Sequence, residues 1–163
     1  MRYAVLVSLA TMYCATSIVP MTRQLDTSGI EHILIPDTVS MVLVSKAILR
    51  APNEYLGCLV GKIDKDKLTV LRVEDADVVG SWPDSVLAES HPPYGCKTQA
   101  GYMGPVHTHS PWPMNIPCTE STRDSHMFIA DSRAILRVVM CANGWYYLQL
   151  RDGRHLTMQW GSP

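Results

Sequence analysis

His107 and His109 stand either side of one threonine in the stretch PVHTHS. In an extended strand, residues i and i+2 point to the same face, so the two imidazoles can meet at one point while Thr108 faces away. Two neutral imidazoles are two metal ligands, and a catalytic zinc keeps three protein ligands plus an open position. Asp124, one helical turn inside a helix that would begin at Ser121, is a carboxylate suited to the third place. Imidazole and carboxylate donors together suit Zn²⁺, one ion per chain, while ligand type alone leaves Fe²⁺ and Mn²⁺ open. A hydrolytic site also needs a carboxylate just outside the ligands, able to take a proton from water and hand it to a leaving amine. Glu54 opens the otherwise apolar stretch EYLGCLVG, where an acid is costly unless it has a partner.

Each of these features has an ordinary reading as well. Histidine is spent freely in this chain, at His32, His91, His126 and His155, and a His-x-His pair in a strand is often no ligand at all. Serine followed three residues later by an acid is close to the capping box that a helix start favours. Cys118 is near enough in sequence to reach a metal, but a fourth protein ligand would close the site to water, so a bystander thiol is expected. Trp112 is the one tryptophan placed to touch a substrate, and Trp145 with Tyr146 and Tyr147 is expected to be sheet packing. Joint occurrence in this order separates the chemical reading from the ordinary ones.

The elements that must position these residues are legible from periodicity and breakers. GIEHILIP is expected to be a strand stopped by Pro36. DTVSMVLVSKAILRA follows as a helix, with Asp37 as its cap, Val39, Val42, Leu43 and Ala47 on one face, and Pro52 ending it. EYLGCLVGKI and KLTVLRV are strands joined through the solvated turn DKDK. From residue 80 the Gly- and Pro-rich texture predicts a long loop broken by a short helix over 84–90. PVHTHS is a short strand and STRDSHMFIADSRA a helix capped by Ser121. ILRVVMCA, WYYLQL and HLTMQW close the chain as a meander turned at Asn143-Gly144 and Asp152-Gly153. The order implies a single α/β domain with a mixed β-sheet flanked by helices.

Glu54 with YLGCLVG after it, then HTH, then Ser121-x-x-Asp124, resembles the JAMM metalloprotease motif of the MPN (JAB) domain family. The resemblance covers residues 29 to 150, and the flanking order of strand, helix and helix is similar. It implies an MPN (JAB)-like fold, with His107, His109 and Asp124 as zinc ligands, Glu54 as general acid/base and Ser121 orienting or stabilising the oxyanion. It implies a zinc-dependent peptidase or isopeptidase, acting on protein or peptide substrates such as conjugates of ubiquitin-like or small carrier proteins. One departure stands out. Eleven residues, SPWPMNIPCTE, separate His109 from Ser121, a longer loop than the family's usual one. The usual spacing would put Pro117 and Glu120 in those places, and proline has no hydroxyl to offer. Added loop length costs little closure entropy, so Asp124 is expected to be the ligand in preference to Glu120. Two alternatives of other kinds stay open: a non-catalytic MPN scaffold or binding module, and an exported metallohydrolase acting on cell-wall peptides. Other His-x-His folds fit less well, since an amidohydrolase barrel needs a longer chain with an earlier pair. A cupin needs a glutamate soon after His109, and a zinc deaminase needs His-x-Glu with Cys-x-x-Cys.

Composition bounds what remains. The 163 residues suit one domain with a core, and 47% hydrophobic against 18% charged residues is a globular balance. A net charge of −1, with Lys and Arg scattered, leaves no footprint for nucleic acid. Residues 1–20 begin with Arg2, an apolar run and the small residues Ala15 and Ser17, which is expected to be an export signal, a misassigned start ahead of Met21, or a segment that folds on as an extra helix. The protein is exported if residues 1–17 are a signal and cytoplasmic if translation starts at Met21; residues 21–163 are then the domain. The run is broken by Ser8, Thr11, Thr16 and Ser17, which argues against a stable membrane span. Without Cys14, the cysteines Cys58, Cys96, Cys118 and Cys141 are an even set compatible with two disulfides. Cys58 and Cys141 sit in apolar runs, however, where buried free thiols are the commoner expectation.

Overall fold

The computed structural model describes residues 27–83, 85–88, 95–96, 100–109, 122–141 and 144–159, with Thr122, Arg123 and Ser125 described by their backbone. The expected export or start segment, Trp112, Cys118, Glu120 and Ser121 lie outside the described residues.

Strand β1 (His32–Leu34) leads into helix α1 (Asp37–Arg50). Asp37 is not the cap. Pro36 occupies that position with φ −60° and ψ 150°, and its carbonyl takes the N–H groups of Val39 and Ser40. Asp37 stands instead in the first turn, where its charge favours the positive end of the helix dipole. Val39, Ser40 and Leu43 are the buried stripe; Val42, expected on the same face, is turned toward solvent.

Strands β2 (Leu56–Asp64) and β3 (Lys67–Asp75) form the expected hairpin. The region after residue 77 departs from expectation. It contains a separate two-stranded ribbon, β4 (Val78–Trp82) with β5 (Ser85–Ala88), so the helix expected over 84–90 is absent from its described part. Val78, Val79, Val86 and Leu87 are strand-favouring residues, and once β4 is available as a partner its pairing outweighs local helical preference.

Strand β6 (Tyr102–Thr108) starts earlier than the PVHTHS stretch. Gly104 makes this possible: with φ +146°, a Cβ placed on it would lie 1.8 Å from the carbonyl oxygen of Leu136, so only glycine admits β7 so closely. Helix α2 (Thr122–Ala130) and strands β7 (Leu136–Met140), β8 (Trp145–Leu150) and β9 (His155–Gln159) complete the chain.

Seven strands form one mixed sheet in the order β1-β3-β2-β6-β7-β8-β9, with β1–β3 and β6–β7 parallel and the other pairs antiparallel. The two faces are distinguished by alternation along each strand. One face carries Leu59, Val106, Leu136, Val138 and Leu148 and packs with Val39 and Leu43 of α1 in the main core. The other carries Leu56 and Cys58 and packs with Met127 of α2. The helices therefore cover opposite faces, as the expected α/β class requires. Among the described residues no helix is long and apolar enough to cross a membrane.

The cysteines correct another expectation. Cys58 is joined to Cys96, and Cys141 is also disulfide-bonded, so neither is a free thiol. An apolar neighbourhood suits a buried disulfide as well as a buried thiol, which is why sequence context alone pointed the wrong way.

Candidate metal centre

β6 is the fourth of the seven strands, and its pairing fixes where His107 points. Leu56 lies opposite His107 on β2, and Val139 lies opposite it on β7. Leu56 belongs to the α2-side cluster, so His107 projects to the α2 face, with 6% of its surface exposed. His109, just beyond the strand, is tied by its N–H to the carbonyl of Met140 at 3.0 Å. Asp124 comes from the first turn of α2 on the same side. The Nε2 atoms of His107 and His109 are 3.2 Å apart, and Oδ2 of Asp124 is 3.4 Å from the first and 3.5 Å from the second.

That triangle fits a metal. Three donors about 2.0–2.2 Å from one zinc at tetrahedral angles lie about 3.3–3.6 Å from each other, and a fourth direction stays open. Burial pushes the His107 imidazole below its ordinary value, against the opposing pull of the Asp124 carboxylate. A neutral imidazole keeps the lone pair that a ligand needs.

Glu54 is brought to the same strand pair through its backbone. Its N–H donates to the Trp82 carbonyl at 2.8 Å, and its own carbonyl accepts the Ser81 hydroxyl at 2.5 Å. The next residue, Tyr55, exchanges two hydrogen bonds with Thr108. The Tyr55 N–H donates to the Thr108 hydroxyl oxygen at 2.8 Å, and the Thr108 N–H donates to the Tyr55 carbonyl at 3.0 Å. Glu54, with its residue 8% exposed, is thus one peptide unit from a clamp that also spaces the two histidines.

The positioning groups carry little warning in the sequence. Thr108 faces away from the histidines as expected, but its role as acceptor for Tyr55 was not anticipated. Arg137 lies in the apolar run ILRVVM and is 1% exposed; its guanidinium donates to Gln149 Oε1 at 2.5 Å and sits 5.3 Å from the Phe128 ring centroid. A charge inside an apolar strand was its only signal. Arg151 holds the far end of α2, its guanidinium donating to the carbonyls of Phe128 and Ile129, which the last turn leaves unpaired, and to that of Asp131 just beyond the helix. Phe128, 2% exposed, lies beneath both guanidinium groups, Arg151 being 5.6 Å from its centroid. The helix bearing Asp124 is therefore anchored by apolar burial and by C-terminal capping.

No family model matches the chain. No curated protein matches it either. Solved structures similar in shape include the following two. AF2198, a JAB1/MPN domain protein from Archaeoglobus fulgidus, is 16% identical with a TM-score of 0.46, over 80% of this chain and 97% of that one. Protein DSY2949 from Desulfitobacterium hafniense is 16% identical with a TM-score of 0.49, over 78% of this chain and 89% of that one. These are distant likenesses of shape, and the chemistry below comes from this chain's own side chains.

Proposed function

We propose that the chain is a zinc-dependent peptidase or isopeptidase of JAMM type. The observation that carries this reading is the triangle of His107, His109 and Asp124, whose ligand atoms lie within zinc-ligand separation of one another. These three residues would hold the ion. A zinc held there would supply Lewis acidity toward a substrate carbonyl and toward water.

The chain's own groups supply the rest. Glu54 takes a proton from the attacking water and delivers it to the departing amine, so that the C–N bond breaks with a neutral leaving group. Ser121, on the motif resemblance, donates a hydrogen bond to the oxyanion. The Tyr55–Thr108 clamp fixes Glu54 against the histidine strand, limiting the misplacement that such chemistry tolerates poorly. The substrate is an amide of a protein or peptide, and the resemblance suggests conjugates of ubiquitin-like or small carrier proteins.

Elemental analysis of the purified protein, beside His109→Ala and Asp124→Ala, tests the reading. Wild type should hold one zinc per chain and both variants none, with Glu54→Gln keeping the metal but losing peptide hydrolysis. Wild type without metal after zinc is supplied would sink it. Zinc retained by Asp124→Ala but lost from Glu120→Ala would move the third ligand to Glu120.

A further inference from the structure

Cys58 and Cys96 are joined across a sequence separation of 38, with Cα atoms 5.7 Å apart, and are 3% and 2% exposed. Their bond is one part of a built contact. Gly95, with φ +64°, lies so close to Asp77 that a Cβ on it would meet the Asp77 carbonyl oxygen at 2.3 Å. The Asp77 N–H donates to the Gly95 carbonyl at 3.0 Å. Cys141 is disulfide-bonded as well.

Both bonds bear on the metal centre. Cys58 lies on β2, the strand Glu54 leads into, and its opposite neighbour on β6 is Pro105, two residues before His107. Cys141 follows Met140, whose carbonyl holds the His109 N–H. Catalytic or sensing disulfides are exposed and close in sequence, whereas Cys58 and Cys96 are buried and far apart, the arrangement of a structural bond. Structural disulfides persist in oxidising compartments and are kept reduced in the cytosol. The candidate metal ligands are two imidazoles and a carboxylate with no thiolate, so oxidising conditions cost the site none of them.

We infer that the domain works in its disulfide-bonded form, in an oxidising compartment, and that its substrate is a polypeptide outside the reducing cytosol rather than a cytosolic ubiquitin-like conjugate. The substrate half of this inference rests on the metallopeptidase reading; the compartment half stands on the cysteines.

The test is to treat cells making the full chain with membrane-permeant N-ethylmaleimide before lysis, then fractionate them and map the protein's cysteines by mass spectrometry. Cys58, Cys96 and Cys141 should carry no label, the Cys58 and Cys96 peptides should separate only after reduction, and the protein should leave with the extracytoplasmic fraction. Reduction should lower the melting temperature by about 10 °C, from the long loop released. Labelled Cys58 and Cys96, a disulfide form in the cytosolic fraction, or a melting temperature unmoved by reduction would each overturn the inference. Zinc content of the same preparation separates the two readings. Zinc with free thiols keeps the metal centre and removes the compartment, whereas disulfides without zinc keep the compartment and remove the proposed substrate.

Discussion

Among the described residues, two groups of side chains bring three metal-ligand atoms within 4.8 Å: His107, His109 and Asp124, and also Glu31, His32 and Asp66. The groups are similar in composition and different in construction. In the first, one member is buried and two are partly buried, and they come from a central strand, its immediate continuation and a helix on the same face. In the second, all three are exposed, two are consecutive residues entering an edge strand, and the third sits on the β2–β3 turn. The second is organised through its backbone, where the Asp66 carbonyl takes the N–H groups of Glu31 and His32 at 2.8 and 3.1 Å. Three exposed side chains must lose rotamer freedom to converge on an ion, which offsets much of what binding returns. The difference teaches that proximity of ligand atoms is cheap, and that the supporting shell distinguishes a candidate centre from a surface coincidence.

The comparison can be broken by loosening the built cluster. Phe128→Ala removes the ring under Arg137 and Arg151 and should cost about 3–5 kcal/mol of stability in chemical denaturation, as large aromatic truncations in cores do. A loss below about 1 kcal/mol would mean that α2 is not anchored there. Thr108→Val keeps the shape but removes the acceptor for the buried Tyr55 N–H, which should cost about 1–3 kcal/mol. The same change should weaken zinc binding about 10–100-fold in a competition titration, and unchanged affinity would show that the clamp does not support the site.

Smaller effects belong to the exposed cluster. Arg154 holds the segment before it, donating to the carbonyls of Thr27 and Ile30, and is paired with Asp152 at 2.8 Å. The hydrogen bonds from Arg154 hold the Asp152 carboxyl down at about 2. Because the folded value is depressed, the stabilisation is present above the ordinary carboxylate range and is lost as pH falls toward about 2. Asp152→Asn should therefore lower the melting temperature at pH 6 by an amount worth about 1 kcal/mol or less, and the gap from wild type should close near pH 2. An equal gap at both pH values would assign the effect to packing instead of charge. His32→Ala should change zinc content not at all and stability by no more than about 0.5 kcal/mol. A lost equivalent of zinc in that variant would make the exposed cluster a genuine site.

The sequence carried the class of the fold because its strands and helices are strongly patterned and bounded by Gly, Pro and Asx residues. It carried the residue types of the candidate centre because His-x-His on a strand and an acid in a helix's first turn have short-range geometric consequences. What failed was set by partners distant in sequence. The β4–β5 ribbon depends on each strand finding the other, Arg137 is tolerated through Phe128 and Gln149, and Cys58 bonds to a cysteine 38 residues away, Cys96. Thr108 was assigned to the correct face, but its bond to Tyr55 spans 53 residues that periodicity cannot see across.

The parallel pairing of β6 with β7 has a consequence in time. Parallel neighbours need a long crossover, and here it contains α2, so His107 lies on the strand before the crossover, His109 at its start and Asp124 within it. The ligands cannot assemble until that segment has docked across the sheet, a non-local step of the kind that slows folding. An ion that binds all three would act as a clasp between the strand and its crossover, holding the crossover shut and slowing its reopening.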